Sequence, residues 1–325
     1  MRDPGSLRRL GVLGSLYLAQ GIVYGFGGFI LIPSLAAGGV AVEDQAGILA
    51  LAGLPWVLKL GWAPLLDRFG AAGSGRVRWF ASAAMVVMAL ALAGLATRPS
   101  LTAEPTTVGW LWLLVNAALS LQDVSTDALV IDRVPPSQRG RANGVLLGGH
   151  HLGAEGVGGL GLGLVVAAHG LSAALWGQAA LLLVLAGAPL LLPARGTRSE
   201  APSPGLAARG DLRRALAALV RSRRALVIVA VTALVMSADV LTATLSGQFW
   251  VQRLGWSVEA LSTWLAPLLL VVNLVAYALA TLWVDRLGHA RAAALGSAAL
   301  GLLWAGFGLV PALWPSTPFL VIFVV

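Results

Sequence analysis

Five ionisable residues other than histidine stand inside long apolar runs of this 325-residue chain: Lys59, Asp123, Asp127, Glu155 and Asp239. A charge at the centre of a bilayer costs ~2.5–3.5 kcal/mol on insertion scales, so each needs a partner, water or neutralisation. In the run around 108–131, Asn116, Ser120, Asp123 and Asp127 follow the spacing i, i+4, i+7, i+11. On a helix that spacing puts all four on one face, which must look at protein or water. Asp123 precedes Asp132 by nine residues and Lys59 precedes Asp67 by eight. At ~1.5 Å per residue the two charges sit at similar depth. The spacing predicts a Lys59–Asp123 or Lys59–Asp127 ion pair; the alternative is Lys59 snorkelling alone to the inner surface.

In the run around 142–168, Gly144, Gly148, His151, Glu155 and Gly159 share a helical face. The glycines permit close packing. His151 and Glu155, at i, i+4, can share a proton near neutral pH or form a satisfied buried pair. Further along, Asp239, Thr242 and Ser246 share a face and offer either solute contact or structural hydrogen bonds.

The elements that hold these groups follow from composition. The chain is 58% hydrophobic and 11% charged, with a mean hydropathy of +0.84. Soluble domains carry about a quarter charged residues, so lipid must cover this surface. Apolar runs fall near 10–32, 45–66, 79–97, 108–131, 142–168, 171–193, 225–248, 259–284, 291–311 and 316–325. Most reach the ~20 residues a spanning helix needs. The first, behind Arg8 and Arg9, is too long for a signal-peptide core of ~7–15 residues and reads as an uncleaved span. The last stops after ten residues without a polar flank, the pattern of a truncated span.

The net charge of +8 does not imply nucleic acid. With a cytoplasmic N-terminus, the inner segments 1–9, 66–78, 132–141, 194–224 and 285–291 hold 19 of the 22 basic residues, and only Arg98 and Arg253 lie outside. That asymmetry sets the orientation by the positive-inside rule. Eight arginines fall in 194–224, a basic linker whose stretch from Leu206 to Arg224 can lie on the membrane surface. The chain divides into a six-helix half at 1–193, this linker, and a partial second half at 225–325 holding spans 7–9 and part of span 10. Trp110, Trp112, Trp250, Trp256 and Trp264 are placed at the outer surface, as an aromatic belt or as sugar-stacking rings. The absence of cysteine excludes disulfides and thiolate metal sites.

An internal repeat joins the halves. Asp67-Arg68-Phe69-Gly70 recurs as Asp285-Arg286-Leu287-Gly288, 218 residues later, each at the inner end of an even-numbered span. Parallel repeats about an axis along the membrane normal mark one large transporter class. These Asp-Arg-x-Gly segments resemble the signature loop of the major facilitator superfamily. Within it, Leu54 through Arg68, the stretch from Gln122-Asp123 through Asp127-Ala128 to Asp132, Pro136, Arg139 and Gly140, and also Tyr17 to Gly21 and Leu254 to Ser257, resemble the AmpG-type muropeptide permeases and the related acetyl-CoA transporters. Val23 and Met236 depart from that pattern, where a proline and a basic residue would be expected.

The resemblance implies an all-α integral membrane protein with the major facilitator fold, two six-helix half-repeats of which the second is incomplete, about nine or ten of twelve spans being present. It implies a secondary active transporter moving a small solute by alternating access, with the proton gradient as energy source and no cofactor. The implied cargo is muropeptide-like (GlcNAc-anhydromuropeptide), taken in across a bacterial inner membrane by a protein working as a monomer when full length. A drug, sugar or acyl-CoA-like solute is the alternative cargo. Asp67, Arg68, Arg139, Asp285 and Arg286 would form the cytoplasmic gate. Spans 1 and 7 line the cavity in this superfamily, and the repeat offset sets Asp239 beside Gln20, so these two are candidate solute contacts. The expected partners are lipid and a small molecule.

An enzyme is the competing class. Asp123 and Asp127 could hold magnesium for a prenyl diphosphate, but that chemistry wants a second Asp-rich cluster, which the sequence lacks. No H-E-x-x-H or G-x-S-x-G occurs either. No catalytic residue and no metal site is expected.

Overall fold

Prolines and glycines set the helix ends. The computed structural model describes residues 4–62, 66, 75–135, 138–193, 221–223, 226–227, 230–231, 234, 249–287, 289–314 and 316. Helix α1 runs Pro4–Phe26, continues through a π-helical turn at Gly27–Leu31 and ends as Ile32–Ala37. Helix α2, Val42–Val57, carries Glu43 and Asp44 in its first turn, where carboxylates suit the positive end of the helix dipole, and tightens into a 3-10 turn at Leu58–Gly61. Then come α3, Val77–Ala96, and α4, Pro105–Arg133, which starts with proline where a missing N–H is harmless. Helix α5 joins Arg139–His151, a π-helical stretch Leu152–Gly161 and Leu162–His169. Gly170, at φ +86°, takes a left-handed conformation and separates α5 from α6, Leu171–Leu185. Helix α7 joins Val258–Ala260, Leu261–Leu265 and Ala266–Leu287, and α8 is His289–Leu309.

Five helices among the described residues are long and apolar enough to cross a membrane: Gly5–Ala37, Val77–Ala96, Arg139–His169, Leu171–Leu191 and Val258–Tyr277. With the apolar α4 and α2 between them, the chain is a multi-pass membrane protein. Leu13, Leu16, Ile22 and Phe26 of α1 are fully buried, so the first run packs in the core of the helices.

Helix α1 lies against α5 backbone to backbone. A β-carbon on Gly21 would stand 2.0 Å from the His150 carbonyl, and one on Gly153 would stand 2.2 Å from that of Leu18. The close packing expected on the face of Gly144, Gly148 and Gly159 is found at one end only: a β-carbon on Gly159 would stand 2.7 Å from Ala266 Cβ, whereas one on Gly144 or Gly148 would meet nothing within 4 Å.

At one end of the bundle the helices are tied by arginine. Arg8, Arg78 and Arg133 donate to the successive carbonyls of Leu191, Leu192 and Pro193 at 3.0, 2.6 and 2.7 Å. These carbonyls follow the end of α6, where orphan acceptors and the negative end of the dipole favour cations. Arg133, 2% exposed, also pairs with Asp132 at 2.8 Å. Sequence reading had counted it only as a topological charge. Arg133→Met is expected to cost about 2 kcal/mol, the scale of a hydrogen bond to a charged group. Heating in detergent followed by size-exclusion chromatography would show it as earlier loss of the monodisperse peak, with Arg8→Met nearly silent.

Candidate functional site: a polar seam through α1, α2, α4, α5 and α7

The polar face of α4 meets a ladder on α2. In a 3-10 turn, residues three apart eclipse one another, and Trp56, Lys59 and Trp62 are spaced that way through the turn ending α2. Trp56 Nε1 donates to Asn116 Oδ1 at 3.3 Å, and Trp62 Nε1 donates to the Ser120 hydroxyl at 3.0 Å. Ser120 in turn donates to the Pro55 carbonyl at 3.1 Å. Between the two indoles, the Lys59 ammonium contacts Asp123 Oδ2. Its nitrogen also lies 4.0 Å from Asp127 Oδ2 and 5.8 Å from the Trp56 ring centre. The structure thus brings Lys59, Asn116, Asp123 and Asp127 together.

Helix α1 completes the cluster. Gln20 Nε2 donates to Gln122 Oε1 at 2.8 Å and to Asp123 Oδ1 at 3.0 Å. Gln122 Nε2 donates to the Leu16 carbonyl at 3.0 Å. Gln20 is buried, and its amide is held by Gln122 and Asp123. Tyr17 donates its hydroxyl to Asp127 Oδ1 at 3.3 Å. Asp127 is the member with its side chain half exposed. One ammonium and two carboxylates leave one formal negative charge, on the exposed side. The cluster can take a proton or a cationic group there.

A second cluster sits on α5. His151 Nδ1 lies 3.2 Å from Glu155 Oε1 and 3.3 Å from Oε2. Asn273 Nδ2, from α7, donates to the same Oε1 at 3.1 Å. The His151 and Tyr277 rings are 5.1 Å apart. His150 faces the other way, toward Tyr24 at 5.7 Å and Tyr17 at 6.5 Å between ring centres. All three tyrosines of the chain therefore gather around this histidine pair, linking the two clusters.

Asn273, Tyr277, Trp56, Trp62 and Gln122 are site residues that sequence reasoning left out. The three-residue spacing of Trp56, Lys59 and Trp62 was a usable signal. Asn273 had none, being one amide in an apolar run. Asp67, Arg68 and Asp239 lie outside the described residues, as do most of the basic linker and of the runs 225–248 and 316–325. Asp285 and Arg286 fall in the last residues of α7, and Arg139 opens α5, donating to the Ile131 carbonyl at 3.4 Å. Of the proposed belt, Trp110 and Trp264 are exposed, whereas Trp112 is 5% exposed and packed over Gly27. Small Gly27 gives the ring room, so Trp112 belongs to the core.

Comparison with protein families matches residues 13–325 to the Major Facilitator Superfamily. The chain belongs to that superfamily. Its members are transporters rather than enzymes, which removes the prenyl-transfer reading. The geometry agrees: the ammonium of Lys59 occupies the place beside Asp123 and Asp127 that a magnesium ion would need. Among curated proteins, this major facilitator chain is 31% identical over 151 residues to the anhydromuropeptide permeases of Escherichia coli K12 and of Escherichia coli O157:H7. The match covers 45% of this chain and 30% of each relative's length.

Proposed function

We propose that the intact protein is a secondary active transporter that imports a small, muropeptide-like solute by alternating access, driven by protons. The observation that carries the reading is the Lys59–Asp123–Asp127 cluster, whose one uncompensated negative charge is anchored by Gln20 and Tyr17 and exposed at Asp127. A buried charge cluster is costly to maintain in a bilayer, and its retention suits a site that binds and releases a proton or solute. The likeness to anhydromuropeptide permeases over part of the chain supports the cargo. An excess negative charge is a poor host for a polyanionic acyl-CoA, which favours a sugar-peptide or neutral solute among the alternatives. The basic inner segments support a bacterial inner membrane with the N-terminus cytoplasmic. Residues 1–193 and 225–325 would be the two rocking halves, joined by 194–224. The intact protein would act as a monomer. Asp67, Arg68, Arg139, Asp285 and Arg286 would close the cytoplasmic side, and Asp239 would face the solute from the second half.

Membrane vesicles carrying the intact protein are expected to accumulate labelled anhydromuropeptide when the outside is acidic, and to lose it on adding a protonophore. No accumulation would remove the muropeptide assignment. Accumulation indifferent to the pH gradient would remove proton coupling.

A further inference from the structure

We propose that Glu155, with His151 and Asn273, is a proton-binding site whose occupancy sets how tightly α5 and α7 hold together. The proposal deepens the proton-coupled reading above by placing the coupling proton on α5, away from the Lys59 pair.

Four observations converge on Glu155. Its carboxylate is 7% exposed, in the middle of two apolar helices. Among the described residues its one ionisable hydrogen-bond or ion-pair partner is His151, whereas Asp123 already has a lysine. It lies in the π-helical stretch Leu152–Gly161, and π-helical turns are frequent at functional sites. And it accepts a hydrogen bond from a different helix, through Asn273.

The seam has a direction. A β-carbon on Gly163 would stand 2.3 Å from Ser262 Cβ, one on Gly159 2.7 Å from Ala266 Cβ, and one on Gly156 3.7 Å from a Leu270 methyl. Next come Glu155 with Asn273, and then His151 with Tyr277. Beyond that point a β-carbon on Gly148 or Gly144 would meet nothing within 4 Å. The polar contact therefore stands where the tight glycine packing of α5 on α7 ends, so its strength decides how far the helices stay together.

Protonation changes that strength by simple chemistry. Asn273 has N–H to give, and a bond from N–H to a carboxylate is roughly twice as strong as one to a neutral oxygen. A proton delivered to the His151–Glu155 pair that neutralises the carboxylate turns the cross-helix bond from charge-assisted to neutral. Loss of the proton restores it. The titratable and charged groups around the pair are His150 on α5, Tyr17 and Tyr24 on α1, Tyr277 on α7, and Asp123, Asp127 and Lys59 beyond Tyr17. The rings of Tyr17, His150 and His151, with centroids 6.5 and 5.5 Å apart, stand between the two clusters.

The chain has no cysteine, so two introduced thiols are the only ones. Leu147 on α5 and Leu279 on α7 are exposed and take nitroxide labels as Leu147→Cys and Leu279→Cys. Pulsed dipolar spectroscopy in proteoliposomes without solute then reads the α5–α7 distance between pH ~8 and ~4, a window that takes in the ordinary imidazole value of ~6.5 and reaches the ordinary glutamate value of ~4.3. The expected result is a several-fold rise in the long-distance population on acidification. Glu155→Gln should hold the acidic distribution at every pH. Asn273→Leu should do the same, while Asn273→Ser, which keeps a donor, should restore part of the response. A pH response unchanged in Glu155→Gln, or no difference between Asn273→Leu and the parent, would overturn the proposal. Because no solute is present, failure of muropeptide uptake with an intact distance response would sink the cargo and leave this site standing.

Discussion

Lys59→Met alone, or Asp123→Leu alone, is expected to reduce uptake and membrane abundance by roughly 100-fold, while exchanging the two charges as Lys59→Asp with Asp123→Lys restores much of the loss. Breaking a buried ion pair by removing one partner costs ~3–5 kcal/mol because the other charge is left behind, and each ~1.4 kcal/mol is tenfold. The lower end applies here, since the Lys59 side chain is 35% exposed. Removing Lys59 is expected to hurt more than removing Asp123, because it leaves two carboxylates, Asp123 and Asp127, at one depth without a cation. The swapped pair is imperfect: the new aspartate sits on a shorter arm and cannot also reach the Trp56 ring face. No recovery in the exchanged double variant would show that the two charges act separately. Quantifying the folded protein by fluorescence-detected size exclusion, alongside uptake, separates lost insertion from lost transport.

Gly153→Val is expected to be strongly destructive, as a change at Gly21 or Gly25 on the facing helix would be. Its β-carbon would stand 2.2 Å from the Leu18 carbonyl and 3.0 Å from the Ile22 nitrogen, both backbone atoms that cannot swing aside. The helices must then part by more than an ångström over their whole contact, at a cost at or above the ~1–3 kcal/mol of ordinary overpacking. Separation of α1 from α5 would also pull Tyr17 and Gln20 away from Asp127 and Asp123. Gly148→Ala is the control, having open space around it, and is expected to gain ~0.5–1 kcal/mol from helix propensity. Thermal inactivation in detergent would rank the two. Equal stability of Gly153→Val and Gly148→Ala would refute the backbone contact.

Much of this was legible before any coordinates. Asn116, Ser120, Asp123 and Asp127 had to share a face because a regular α-helix through 105–133 fixes their angles, and matching depth was enough to pair Lys59 with Asp123. The i, i+4 relation of His151 and Glu155 is local and came out as spacing requires. Spacing gave the face of α5 but not how much of it is covered: a β-carbon on Gly159 would meet α7, while one on Gly144 or Gly148 would meet nothing within 4 Å, because that depends on the neighbouring helix. Trp112 was placed at the surface by its position near a run's end, although small Gly27 on a distant helix makes room for it inside. Nothing in the span of Gln20 shows that Gln122 and Asp123, a hundred residues away, hydrogen-bond its amide.

The sequence by itself determined that this chain crosses a membrane repeatedly, which residues carry charge into the bilayer, and which transporter superfamily it resembles. Those properties depend on composition, on run length and on periodicity within one helix, all of them local. Only the tertiary structure decided that Asn273 closes on Glu155, that Arg133 is buried on the end of α6, and that all three tyrosines surround His150 and His151. Each of those contacts joins helices far apart in sequence. Their mutual rotation is set by which backbones can touch, at Gly21 and Gly153 above all, and no single helix carries that information.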